Sequence, residues 1–148
     1  MFHADLHIHS RYSRACSKKC DPAALAWWAV RKGVTVVGTG DFTHPAWAAE
    51  LAETLEPAEP GLFRLRPGLQ AELAGTSPAS CDPRVRFLLS AEISTIYQRD
   101  GITRKFTTWC TPPRSKPPAI SARAWPRSGT WHRTAARSLA WTPGTCWR

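Results

Sequence analysis

No acidic residue occurs between positions 106 and 148 of this 148-residue chain. The formal net charge of +9 therefore divides unevenly. Residues 1–105 hold 13 Lys/Arg and all 11 Asp/Glu, and residues 106–148 hold the other 7 Lys/Arg. A basicity that would suggest a nucleic-acid partner is thus concentrated in a tail. That tail also carries five of the eight tryptophans and six of the thirteen prolines. Long hydrophobic runs are lacking too. None approaches the roughly 18 residues of a membrane span, so no membrane segment or signal peptide is expected. Paired cysteine spacing is missing: Cys16, Cys20, Cys81, Cys110 and Cys146 are an odd set, and C-x3-C without a second pair is poor evidence for zinc. Free thiols in a reducing, cytoplasmic compartment follow. No G-x-x-x-x-G-K-[ST] phosphate loop is present either.

What is present starts at Asp5-Leu6-His7-Ile8-His9-Ser10. Phe2 to Ile8 reads as a strand, and period two puts His7 and His9 on one face. Two converging neutral imidazoles suit zinc, manganese or iron. Asp5 shares that face, as a further ligand or as an acceptor fixing a histidine tautomer. Alone, the H-x-H equally describes a polar strand end. Its weight comes from later positions.

Arg11 to Lys19 reads as a basic loop. Asp21-Pro22 then opens a helix that Gly33 closes, with Arg31 and Lys32 in the last turn. Its expected buried stripe is Leu25, Trp28, Ala29 and Lys32. Thr35 to Asp41 is a second strand, apolar enough to be buried on both faces. A helix from His44-Pro45 to about Leu55 follows, with Trp47, Leu51 and Leu55 as its stripe. Residues 56–83, rich in Pro, Gly and Ala, read as a long excursion with little local structure. Arg84 to Ser90 is a third strand, ending at Glu92, and residues 96–105 read as a hairpin turning at Asp100-Gly101. Three strands thus end in H-x-H, D-x-x-H (Asp41, His44) and Glu92. Strand ends of this kind carry catalytic groups in β/α barrels.

These motifs resemble the PHP superfamily of metal-dependent phosphoesterases. The runs D-L-H-I-H-S-R-Y-S-R-A and G-T-G-D-F-T-H-P-A-W resemble its endonuclease Q branch, and the likeness covers residues 2–105. Related chains often bear a UvrD-type helicase name. The resemblance implies an α/β fold, a distorted (β/α)7 barrel, of which this chain holds the first strand–helix units. It implies His7, His9, Asp41, His44 and Glu92 as ligands to two or three divalent ions (zinc, manganese or magnesium), with Asp5 in support. D-x-x-H departs from the adjacent Asp-His of many PHP proteins, so Asp41 and His44 need not share an ion. The implied activity is nicking of damaged DNA on the 5′ side of deaminated bases or abasic sites. Arg11, Arg14, Lys18 and Lys19 would bind DNA phosphates, or simply form a solvated basic loop.

After Glu92 the family pattern leads to V-H-H, yet this chain has Phe106-Thr107-Thr108-Trp109-Cys110. Loss of one G after the Lys105 codon explains the difference. GTT-CAC-CAC-CTG-GTG-TAC-GCC then reads TTC-ACC-ACC-TGG-TGT-ACG-CC, turning V-H-H-L-V-Y-A into F-T-T-W-C-T-P. With suitable codons the whole tail back-shifts to a run containing I-G-N-L-A-S-D-G-R-P-I-L-G-L-D, again similar to endonuclease Q proteins. Residues 106–148 therefore read as an out-of-frame, poorly ordered tail. The chain as written is expected to be inactive for want of later ligands. Two rival readings are a module binding nucleic acid through the Trp/Arg-rich tail, and a PHP phosphatase acting on a small phosphomonoester. Oligomeric state is not legible.

Overall fold

The computed structural model describes residues 2–111. β1 (Ala4–Asp5), β2 (Val36–Gly38) and β5 (Arg86–Leu88) run parallel in the order β1-β2-β5. β4 (Phe63–Leu65) and β3 (Leu55–Pro57) extend that sheet antiparallel, giving β1-β2-β5-β4-β3. Among the described residues this is an open mixed sheet with three helices, without barrel closure.

α1 (Pro22–Lys32) forms where its caps dictate. The Asp21 carboxylate accepts from the Ala24 N–H at 2.7 Å, and Gly33 closes the helix at φ +69°. Its buried face is Ala26, Ala29 and Val30, not the expected Leu25–Trp28–Ala29–Lys32 stripe. An i, i+3, i+4 set of small and β-branched residues lets the helix lie close to the sheet. The Trp28 ring is left 56% exposed, edge-on to Trp27. α2 (Pro45–Thr54) buries Trp47, Ala48 and Leu51, close to expectation.

Residues 56–83 hold more structure than their composition suggested. β3, β4 and α3 (Pro67–Thr76) occupy most of the segment. Phe63 and Leu65 alternate inward while Arg64 points out to Glu56 at 2.8 Å. Leu73 from α3 joins them in one core with Ala26, Val30, Val37, Trp47, Leu51, Val85 and Phe87.

β6 (Ala91–Arg99) and β7 (Ile102–Cys110) form a separate hairpin. Asp100 and Gly101 both have positive φ (55° and 72°), the geometry of a two-residue turn matched to strand twist. The pairing is longer than the expected 96–105 and takes in Phe106–Cys110, which the sequence assigned to the tail. The expectation for residues 112–148 falls outside the described residues. Register puts Ile93, Tyr97, Ile102 and Phe106 on one exposed face. No helix among the described residues is long and apolar enough to cross a membrane.

β1 is shorter than the expected Phe2–Ile8, and the chain beyond Asp5 lies close against the end of β2. A Cβ on Gly38 would stand 2.6 Å from the Leu6 carbonyl oxygen, and one on Gly40 2.2 Å from that of Ile8. Two glycines thus allow the H-x-H segment to press against the end of β2.

Candidate metal centre

The carboxyl ends of the three parallel strands share one edge, and four of the candidate residues, His7, His9, Asp41 and Glu92, gather there. His7 and His9 follow β1, Asp41 follows β2, and Glu92 follows β5 at the start of β6. His7, His9 and Glu92 each offer a ligand atom within 4.8 Å of the others. His7 Nε2 lies 3.1 Å and His9 Nε2 3.6 Å from the same oxygen, Glu92 Oε2. Two imidazole nitrogens and a carboxylate oxygen suit zinc or manganese, and three protein donors leave a coordination position for water or substrate. The donor set therefore fits a divalent ion. His7, with its side chain 69% exposed, forms the open rim.

Asp41 stands behind this cluster. Its Oδ1 is 3.6 Å from His9 Nδ1, on the far side of the ring from Glu92. Its Oδ2 accepts from both the Ser10 N–H and the Ser10 hydroxyl, each at 2.8 Å. The turn carrying Asp41 is left-handed at two successive residues, Gly40 (φ +58°) and Asp41 (φ +43°). It is held from several sides. The Gly40 N–H donates to Ser90 Oγ at 3.1 Å, and the Ser90 N–H to Thr39 Oγ1 at 3.2 Å. From α2, Trp47 Nε1–H is shared between the Thr39 and Gly40 carbonyls, at 3.1 and 2.9 Å. Ser10, Thr39 and Ser90 are fully buried, and each finds a partner within this turn.

The other candidate residues are placed elsewhere. His44 is not one of the three converging residues. Its Nδ1 accepts from the Trp47 N–H at 3.4 Å as the cap of α2, and its ring stacks on Tyr12 at 4.6 Å. Asp5 lines a shallow cleft with Trp28, Lys32 and Val34, on the α1 side of the chain. Arg11 is bound to two carboxylates, Glu50 at 2.7 Å and Asp21 at 3.1 Å. Burial pushes the Glu50 carboxyl above its ordinary value, and the Arg11 guanidinium opposes that rise. Lys18 Nζ donates to the Arg11 carbonyl at 3.3 Å, while Arg14 and Lys19 are exposed.

Sequence reasoning missed Ser10, Ser90 and Trp109. The serines adjoin the motif residues, but nothing in their type separates a buried clamp from an ordinary turn. Trp109 sits opposite Glu92 in the hairpin, and its ring lies 4.8 Å from that of His7, walling one side of the cluster.

No family model matches the chain. It is 41% identical over 49 residues to an uncharacterized protein of Methanocaldococcus jannaschii, a match covering 33% of this chain and 6% of that protein. Among solved structures it is similar to the lesion-specific endonuclease PfuEndoQ of Pyrococcus furiosus, with 34% identity, 62% of this chain, 18% of that chain and a TM-score of 0.48. It is likewise similar to endonuclease Q in complex with a 27-mer duplex substrate bearing an abasic lesion at the active site. There the identity is 35%, with 60% of this chain and 18% of that chain covered and a TM-score of 0.46. The chain thus spans less than a fifth of each of these relatives.

Proposed function

We propose that this chain supplies strand–helix units and part of the metal site of a DNA repair endonuclease, one that nicks DNA 5′ of deaminated bases or abasic sites. The observation that carries this reading is the meeting of His7, His9 and Glu92, from segments far apart in the chain, at one sheet edge. Their Nε2, Nε2 and Oε2 atoms would hold a divalent ion: zinc, manganese or magnesium. When bound, it supplies Lewis acidity towards a phosphodiester oxygen. The chain's own residues do the rest. Glu92 draws both imidazoles to one point, and the exposed His7 rim admits a phosphate. Arg14 and Lys19 are free to meet DNA phosphates, whereas Arg11 ties its loop to α1 and α2. The runs D-L-H-I-H-S-R-Y-S-R-A and G-T-G-D-F-T-H-P-A-W favour the endonuclease over a small-molecule phosphatase.

The out-of-frame origin of residues 106–148 belongs to the same proposal. The hairpin register lends it support, because Thr107 pairs with Ser94 and shares a strand face with Glu92 and Trp109. In the back-shifted frame that position encodes histidine, a fourth donor on the metal side. The test is a nicking assay on duplexes containing uracil, hypoxanthine or an abasic site, using the frame-restored protein. Metal-dependent nicking that disappears in His7→Ala and His9→Ala, with duplex binding retained, is expected. Nicking that survives both substitutions overturns the site. Hydrolysis of p-nitrophenyl phosphate without nicking would replace the endonuclease reading by the phosphatase.

A further inference from the structure

Ser10 is fully buried, yet it is the residue immediately after the H-x-H motif and spends both its donors on one oxygen. Its N–H and its hydroxyl each reach Asp41 Oδ2 at 2.8 Å, while the same hydroxyl oxygen accepts from the Tyr12 N–H at 3.2 Å. The hydroxyl proton is thereby committed to Asp41. With Oδ2 held twice, the carboxylate cannot rotate, and Oδ1 is left facing His9 Nδ1 at 3.6 Å. That separation is electrostatic contact rather than a hydrogen bond. A fixed negative oxygen there favours a proton on His9 Nδ1, against the Glu92 oxygen that stands equally far, 3.6 Å, from Nε2; a cation between Nε2 and Glu92 would tip the balance to Nδ1–H.

We propose that Ser10 is a positioning residue of this site. It locks Asp41, and Asp41 selects the His9 tautomer whose Nε2 can bind a metal ion. This rests on the metal reading of His7, His9 and Glu92. It differs from the ligand role that resemblance gives Asp41, because here Asp41 acts through His9.

The clamp has an unusual chemical consequence for Asp41→Asn. Two donors on Ser10 claim the side chain's only remaining acceptor oxygen, so the amide NH2 must face His9 Nδ1. A donor there requires Nδ1 to accept, which moves the proton to Nε2 and blocks that nitrogen. Ser10→Ala removes one of the two donors and frees the carboxylate to turn.

Two measurements on the full chain test this. In the metal-free protein, the 15N resonances of His9 report which nitrogen carries the proton, at a pH where the ring is neutral. Wild type should populate Nδ1–H against the pull of Glu92, Asp41→Asn should shift the ring to Nε2–H, and Ser10→Ala should lie between the two. Ser10→Thr, which keeps the hydroxyl, should restore the wild-type pattern. An unchanged tautomer in Asp41→Asn overturns the proposal whatever the metal does. Should Ser10→Ala or Ser10→Thr fail to fold, Asp41→Asn alone decides. The second measurement is titration with Co2+ alone, followed by its visible absorption. Ser10→Ala and Asp41→Asn should bind roughly 10–100-fold more weakly, the usual cost of losing an outer partner of a ligating histidine. Equal affinity in all variants overturns the role of Ser10. A wild type that takes up no Co2+, yet shows the expected tautomers, instead sinks the metal reading on which the proposal rests.

Discussion

Glu92 is the point on which both histidines converge, because one of its oxygens faces His7 Nε2 and His9 Nε2 together. Replacing it with glutamine keeps the shape and removes the charge that draws a cation. Glu92→Gln should weaken Co2+ binding by at least the roughly 10–100-fold seen for outer partners of a metal site, with little change in thermal stability, since the side chain lies at the open edge. Calorimetric titration checks this; unchanged affinity would remove Glu92 from the site. Trp47 is the opposite kind of residue, fully buried with its Nε1–H shared by two carbonyls of the Asp41 turn. Trp47→Ala should cost about 3–5 kcal/mol in urea unfolding. Trp47→Phe should cost less but loosen the turn, because the Thr39 and Gly40 carbonyls lose their donor. The His7/His9 pair was legible at this scale, since an x-spaced pair after an apolar stretch is informative by itself. The clamps were not. Nor were the local tasks of other candidates: His44 Nδ1 caps α2, and Arg11, chosen for its charge, is engaged by two carboxylates.

Elements bring these residues together through close backbone approach. Gly40 has φ +58°, and its missing Cβ would lie 2.2 Å from the Ile8 carbonyl oxygen. Gly40→Ala should therefore cost about 1–3 kcal/mol in backbone strain alone, and should also push the His7–His9 segment off β2. Loss of stability in urea melts together with loss of Co2+ uptake is expected; a stable, metal-competent variant would contradict the geometry. A second element-level tie joins β5 to the turn before β4, where Arg86 grips Glu59 at 2.7 and 2.8 Å. That hydrogen bonding holds the Glu59 carboxyl down from 4.5 to about 2. A depressed folded-state value means the contribution is fully present above about 4.5 and is lost as pH falls towards about 2. Glu59→Gln should therefore lower the melting temperature at neutral pH slightly, the pair being exposed. The difference from wild type should vanish as the two melting curves are compared down through that acid window. The helices were readable because Asp21, Pro22 and Gly33 punctuate the chain by known backbone rules. β3, β4 and α3 were not, because three-residue strands are too short for alternation to register, and Pro, Gly and Ala hide a helix whose only fully buried side chain is Leu73. The face of α1 was misjudged for a related reason: large Trp28 looked like core, while small Ala26 is what fits against the sheet.

Across the molecule, the described residues divide into a sheet-and-helix body and a hairpin that packs chiefly on itself. A two-stranded hairpin gains little from its own burial. Amide hydrogens of β6 and β7 should therefore exchange well before those of Val37 and Phe87, as native-state exchange would show; equal protection would mean that the hairpin and the body open together. The proposed frame of residues 106–148 is decided at the level of the gene. Sequencing across the Lys105 codon should find one additional nucleotide, opening a frame through V-H-H. A confirmed short frame would make the tail a natural product, to be assayed for salt-sensitive DNA binding.

The hairpin also has a colloidal consequence. Among the described residues β6 and β7 pair only with each other, so each offers a nine-residue edge with unpaired peptide groups. One broad side is greased by Ile93, Tyr97, Ile102 and Phe106. Such an edge templates the addition of strands from other copies. Light scattering should grow with protein concentration at temperatures well below the melting of the core. The working life of this chain in solution would then be set by how crowded it is, rather than by how tightly its interior is packed.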